Sequence, residues 1–78
     1  MAVLKVVGRR GQVLKECEVQ GASTIGYAVF HVSDILGVDP ESGQFYLAEW
    51  PSMRPLPEED LAAEWDGKKV LFCRTDEP

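Results

Sequence analysis

Two cysteines and one histidine are the whole supply of thiol and imidazole metal ligands in this 78-residue chain. Cys17 and Cys73 are too few for a disulfide framework, and their separations from each other and from His31 suggest no zinc site. No Ser–His–Asp or Cys–His arrangement follows from the spacing, so His31 reads as a surface residue rather than a general base. Long apolar runs are missing too: no segment approaches the roughly 20 residues of a membrane span. The opening Met1-Ala2-Val3-Leu4-Lys5 lacks the layout of an export signal. These absences predict a non-catalytic, cytoplasmic domain with reduced thiols, no metal and no cofactor.

Basic charge is scarce and concentrated. The chain carries 8 Lys and Arg against 13 Asp and Glu, for a net charge of −5. Lys5, Arg9, Arg10 and Lys15 outnumber Glu16 and Glu18 in the first 22 residues, whereas acids dominate from Asp34 onward. Nucleic-acid affinity comes from neutralising many phosphates over a broad basic surface, so no nucleic-acid partner is expected.

What is present suffices for one small domain spanning residues 1–78, with a frayed tail over about 75–78. Residues 2–7 and 13–19 are β-prone and flank Gly8-Arg9-Arg10-Gly11-Gln12, which predicts a hairpin. Alternation places Leu4 and Val6 inward in the first strand, and Val13, Cys17 and Val19 on one side of the second. Thr24–Gly37 reads as the main helix: Ile25, Ala28, Val29, Val32, Ile35 and Leu36 share one face, Ser23 or Thr24 caps the start, and Gly37 closes the end. Gln44–Trp50 is a third strand, with Phe45 and Leu47 opposite Gln44, Tyr46 and Ala48. Three prolines keep 51–57 out of any central strand. Glu58–Trp65 reads as a short helix or turn with Leu61 and Trp65 inward and its leading acids set by the helix dipole. Lys68–Arg74 is the last strand, expected to run parallel to the first in the sheet centre. One helix across a mixed sheet makes this an α+β domain.

Three features stand outside that frame. Tyr27 and Phe30 lie on the helix face opposite the core stripe, where aromatics suggest a contact surface. Tyr46 and Trp50 bracket the start of the proline-rich crossing, and such aromatics are favoured as interface anchors. Lys5, Arg9, Arg10 and Lys15 gather on the hairpin, whose second strand is a sheet edge able to receive a partner strand.

The order of elements resembles the β-grasp, and the residues resemble the ubiquitin-like family. Thr24-Ile25 matches the family's helix-opening Thr-Ile, Ala28 and Val32 its inward helix positions, and Gly37-Val38 its Gly-Ile after the helix. Phe45-Tyr46-Leu47-Ala48 matches its Leu-Ile-Phe-Ala strand, and Cys17 and Val19 its inward second-strand positions. Leu56, Leu61 and Trp65 resemble its later apolar anchors if an insertion is placed around Trp50–Met53. The resemblance implies a ubiquitin-like β-grasp fold. Conjugated members and sulfur carriers of the fold end in Gly-Gly, which this sequence lacks, so neither role is expected unless the functional C-terminus lies elsewhere. The plant-type ferredoxins of the same fold need four cysteines. The family's apolar patch is remodelled: Tyr46 takes one position, Val70 or Phe72 a second, and Arg9-Arg10 replaces the third with charge. These points predict a protein–protein interaction module that docks an acidic partner through its sheet face and basic hairpin. A PB1-like oligomerisation domain using Lys5, or a small accessory subunit of an enzyme complex, are the alternatives.

Overall fold

A computed structural model provides the fold, and residues 1–75 are described. The elements are β1 (Ala2–Val7), β2 (Val13–Val19), α1 (Ile25–Leu36), β3 (Phe45–Glu49), a 3-10 turn η1 (Ala62–Trp65) and β4 (Lys69–Arg74). The four strands form one mixed sheet in the order β2-β1-β4-β3. β1 runs antiparallel to β2 and parallel to β4, and β3 runs antiparallel to β4. The last strand therefore lies beside the first in the sheet centre, and with α1 across one face the architecture is α+β and β-grasp-like. No helix among the described residues is long and apolar enough to cross a membrane.

The helix begins and ends where its sequence demands. Thr24 is the N-cap, its hydroxyl accepting the Tyr27 amide at 3.2 Å. Gly37 takes the left-handed conformation at φ 74°. Its N–H donates to the Asp34 carbonyl and that of Val38 to Ser33, the paired bonds of a Schellman ending. Ile25, Ala28 and Val32 are buried against the sheet, and Val29, Ile35 and Leu36 pack at its margins. Ser33 is also buried, its hydroxyl donating to the Phe30 carbonyl at 2.7 Å within the helix.

On the helix-covered inner face, Leu4, Val6, Cys17, Val19, Leu47 and Val70 join the helix residues in one core, closed below by Leu56 and Ala62. The crossing between β3 and β4 differs from expectation. Only Ala62–Trp65 is helical, so Glu58, Glu59 and Asp60 precede the turn rather than answer its dipole. Their segment serves α1 instead: Ile25 N–H donates to the Asp60 carbonyl and Gly26 N–H to that of Glu58. Leu61 bridges to Thr24 and is 46% exposed, and Ala62 takes the inward place assigned to it. Trp65 does pack against the core. Thr75 is not frayed, since its N–H donates to the Gln44 carbonyl at 2.8 Å. Residues 76–78 of the expected tail lie outside the described residues.

A bulge redirects the hairpin. Val6 pairs with Lys15, but Val7 pairs with Val13, so Leu14 is the extra residue. An inserted residue shifts the alternation and bends the strand. Val13 thus pairs with an outer-face residue and leaves the side of Cys17, against the simple alternation.

Candidate interaction surface

The face of the sheet away from α1 carries a second small core. Val7, Ala48 and Leu71 are buried there, with Tyr46, Trp50 and Cys73 packed around them. Among the described residues no helix covers this second core, and the hairpin tip does part of that work. Gly11, at φ 81°, lies so close to the Trp50 indole that a Cβ would sit 2.9 Å from Cζ2 of the ring. Trp50 is therefore half-buried under the hairpin. Tyr46 and Cys73 are cross-strand partners on this face. The neighbouring Cys73 side chain, first by electrostatics and then by a hydrogen bond, holds the Tyr46 phenol above its ordinary value of 10.0.

The basic residues read as one hairpin cluster separate into two groups. Lys5 alternates with buried Leu4 and Val6 and so projects from the outer face. Arg9 and Arg10 are exposed at the tip. Lys15 pairs with inward-facing Val6 and leaves the sheet on the helix side, where its charge partly offsets the upward push of burial on the Cys17 thiol. The sequence gives no hint of the residue that joins Lys5. Lys69 is its direct partner across the parallel β1–β4 register, so two lysines leave neighbouring strands side by side on the outer face. Glu16, opposite Lys5 on β2, is the acid nearest to them in register. Side-by-side like charges cost stability unless an anion offsets them.

A cleft of about 600 Å³ opens between the hairpin and the second half of β4. Val7, Leu14, Leu71 and Phe72 supply apolar walls, and Arg9, Met53 and Arg74 stand among the lining residues. Leu14 is 61% exposed because the bulge leaves it without a cross-strand partner. Phe45 and Phe72 stack with centroids 4.9 Å apart, and the Arg74 guanidinium lies over the Phe45 ring. Arg74 also donates to the Ser42 carbonyl at 3.0 Å.

Tyr27 and Phe30 are 64% and 58% exposed, so the proline-rich crossing does not cover Phe30. They occupy the helix, on the opposite side of the molecule from Tyr46, Trp50, Lys5 and Lys69. The eight anticipated residues therefore form no single site: five belong to the outer face and hairpin tip, two to the helix, and Lys15 to neither. Among the described residues, no three His, Cys, Asp or Glu side chains converge as metal ligands do. No protein-family model matches the chain, and no curated protein matches it in sequence.

Proposed function

We propose that this chain is a cytoplasmic, non-catalytic ubiquitin-like interaction module that docks an acidic protein through its outer sheet face and basic hairpin tip. The observation that carries the reading is the adjacency of Lys5 and Lys69 on that face, in a protein whose net charge is −5. Glu16 offsets Lys5 from the β2 side, and a docked carboxylate beside Lys69 relieves the like-charge contact that is left and gains affinity from it. Arg9 and Arg10 extend the basic field to the tip, and Tyr46 and Trp50 supply rigid aromatic area beside it.

The test is cross-linking of the full chain to its co-purifying partners, read by mass spectrometry, for the wild type and for Arg9→Glu/Arg10→Glu. Cross-links at Lys5 and Lys69 that fall at least about tenfold on charge reversal are expected. Cross-links indifferent to the reversal, or confined to surfaces around Tyr27 and Phe30, reject the outer face as the docking surface.

A second reading is self-association, favoured by the separation of charge. The basic outer face and the acidic crossing Glu58-Glu59-Asp60 belong to different sides of one molecule, and such head-to-tail complementarity builds open chains. Sedimentation velocity over a wide concentration range, at low and high salt, decides it. A single monomer species throughout dismisses assembly.

A further inference from the structure

The hydrogen-bonding direction of each β4 residue follows from three bonds at its ends. On the β1 side, Lys5 N–H donates to the Lys68 carbonyl at 3.1 Å. On the β3 side, Trp50 N–H donates to the Lys69 carbonyl at 3.2 Å, and Thr75 N–H to the Gln44 carbonyl at 2.8 Å. Successive residues of a strand turn their N–H and C=O groups to opposite neighbours. Lys69, Leu71 and Cys73 therefore face β3, whereas Val70 and Phe72 face β1. The β1–β4 register ends at the pair Val6 and Val70. Phe72 consequently directs its backbone N–H and C=O past the end of β1 and into the cleft.

The cause lies in the hairpin. The extra residue Leu14 bends β1 and β2 just where β1 would have continued along β4. The close approach of Gly11 to the Trp50 indole holds the bent tip over the outer face. β4 is thus paired along its length on one side only, and its second half presents an open edge inside the sheet. Strand edges of this kind are templates for another extended chain.

The cleft suits such a chain in size, polarity and charge. Its volume of about 600 Å³ falls within the range of peptide-sized and ligand-sized sites. A strand advances about 3.3 Å per residue, so Leu71–Arg74 offers a platform for a segment of about four residues. Val7, Leu14 and Phe72 provide apolar contacts for alternate side chains. Two arginines and, among the described residues, no acid line the cleft, although the chain has 13 Asp and Glu.

We propose that this cleft receives a short extended segment of the partner protein, which adds to β4 through the Phe72 backbone and brings aspartate or glutamate to Arg9. The inference rests on the sheet-face docking reading and names its mode: main-chain bonds give affinity, and alternate side chains with an acidic flank give specificity.

The experiment uses the full ¹⁵N-labelled chain and a random dodecapeptide library. In the free protein, the Phe72 amide exchanges with solvent at least about tenfold faster than those of Leu71 and Cys73; equal protection overturns the open edge. Peptides enriched on the chain are expected to carry Asp or Glu beside alternating apolar residues. They slow Phe72 exchange at least about tenfold and lose about tenfold in affinity to Arg9→Glu. N-methylation at alternate peptide amides abolishes binding in one parity and spares it in the other. Peptides that shift only the Lys5, Tyr46 and Lys69 amides, or that tolerate N-methylation everywhere, overturn strand addition and leave the docking surface standing. Enrichment of no peptide also overturns it, and the docking surface is then decided by the cross-linking alone. Phe72 protection that appears without peptide and grows with protein concentration assigns the cleft to a second copy of the chain and likewise overturns the proposal.

Discussion

On the inner face of the sheet, Leu4, Cys17, Leu47 and Val70 are sealed by a helix whose apolar stripe runs along Ile25, Ala28 and Val32. On the outer face, Val7, Ala48 and Leu71 are sealed by one indole and the edge of a hairpin. The first cover is broad and built from local periodicity. The second is narrow and depends on a bulge, a glycine and a tryptophan meeting from distant parts of the chain. A covered face holds a fold together. A face covered this sparingly leaves basic and aromatic groups partly open to solvent, at the cost of a weaker seal.

The comparison breaks most readily in the core. Leu4→Ala empties a fully buried site under α1 and should cost about 3 kcal/mol, in the lower part of the range for such truncations. Leu71→Ala should cost clearly less, because the neighbouring cleft lets the surroundings relax. Urea denaturation of both variants checks the order, and equal costs would erase the distinction between the faces.

Next comes the hairpin seal. Gly11→Ala places a methyl against the indole in a left-handed conformation and should cost about 1–3 kcal/mol. In a double-mutant cycle, Trp50→Leu should relieve the contact part of that cost and leave the backbone part, giving a favourable coupling energy. Additive losses would show that the tip is not seated on the ring.

A smaller effect separates the faces by pH. Burial raises the Cys17 thiol above its ordinary value of 9.0, with Lys15 acting weakly the other way. Below that value the thiol is protonated in both folded and unfolded chains, and its contribution is complete. As pH rises through and beyond 9.0, the unfolded thiol ionises first, so stability falls. Tyr46, raised above 10.0, adds a later decline from the outer face. Cys17→Ala should flatten the earlier decline only, as read from melting temperature between pH 8 and 10 in roughly half-unit steps.

The smallest effect is expected on the helix exterior. Tyr27→Ser/Phe30→Ser removes two exposed rings and should change stability by no more than about 0.5 kcal/mol. A larger loss in thermal denaturation would mean that these rings cover more than their exposure indicates.

The inner face was legible in the sequence because its signals are local. The spacing from Ile25 to Leu36, the Thr24 cap and the Gly37 ending all lie within one element, and they place the helix within a residue of its bounds. The outer face was less legible because its neighbours meet through register. Nothing in the sequence reveals that Lys69 lies beside Lys5, since a parallel pairing joins segments from opposite ends of the chain. Val13 misleads for a related reason: alternation holds only until a bulge shifts it, and Leu14 gives no compositional warning. Leu61 looked inward by helical spacing, yet its residue precedes the turn and pairs with Thr24. Tyr46 and Trp50 stand out in the sequence as large aromatics at the start of the proline-rich crossing, and the structure places both, half-buried, on the outer face.

The bonds from Ile25 and Gly26 to the carbonyls of Asp60 and Glu58 give α1 a dependence on timing. Two of its leading amides find their acceptors in a segment synthesised long after the helix itself. A nascent chain that has emerged only as far as β3 holds the helical sequence with its beginning unfinished, and the helix matures when the crossing docks. Exchange at those two amides therefore reports the docking of the crossing onto the start of the helix.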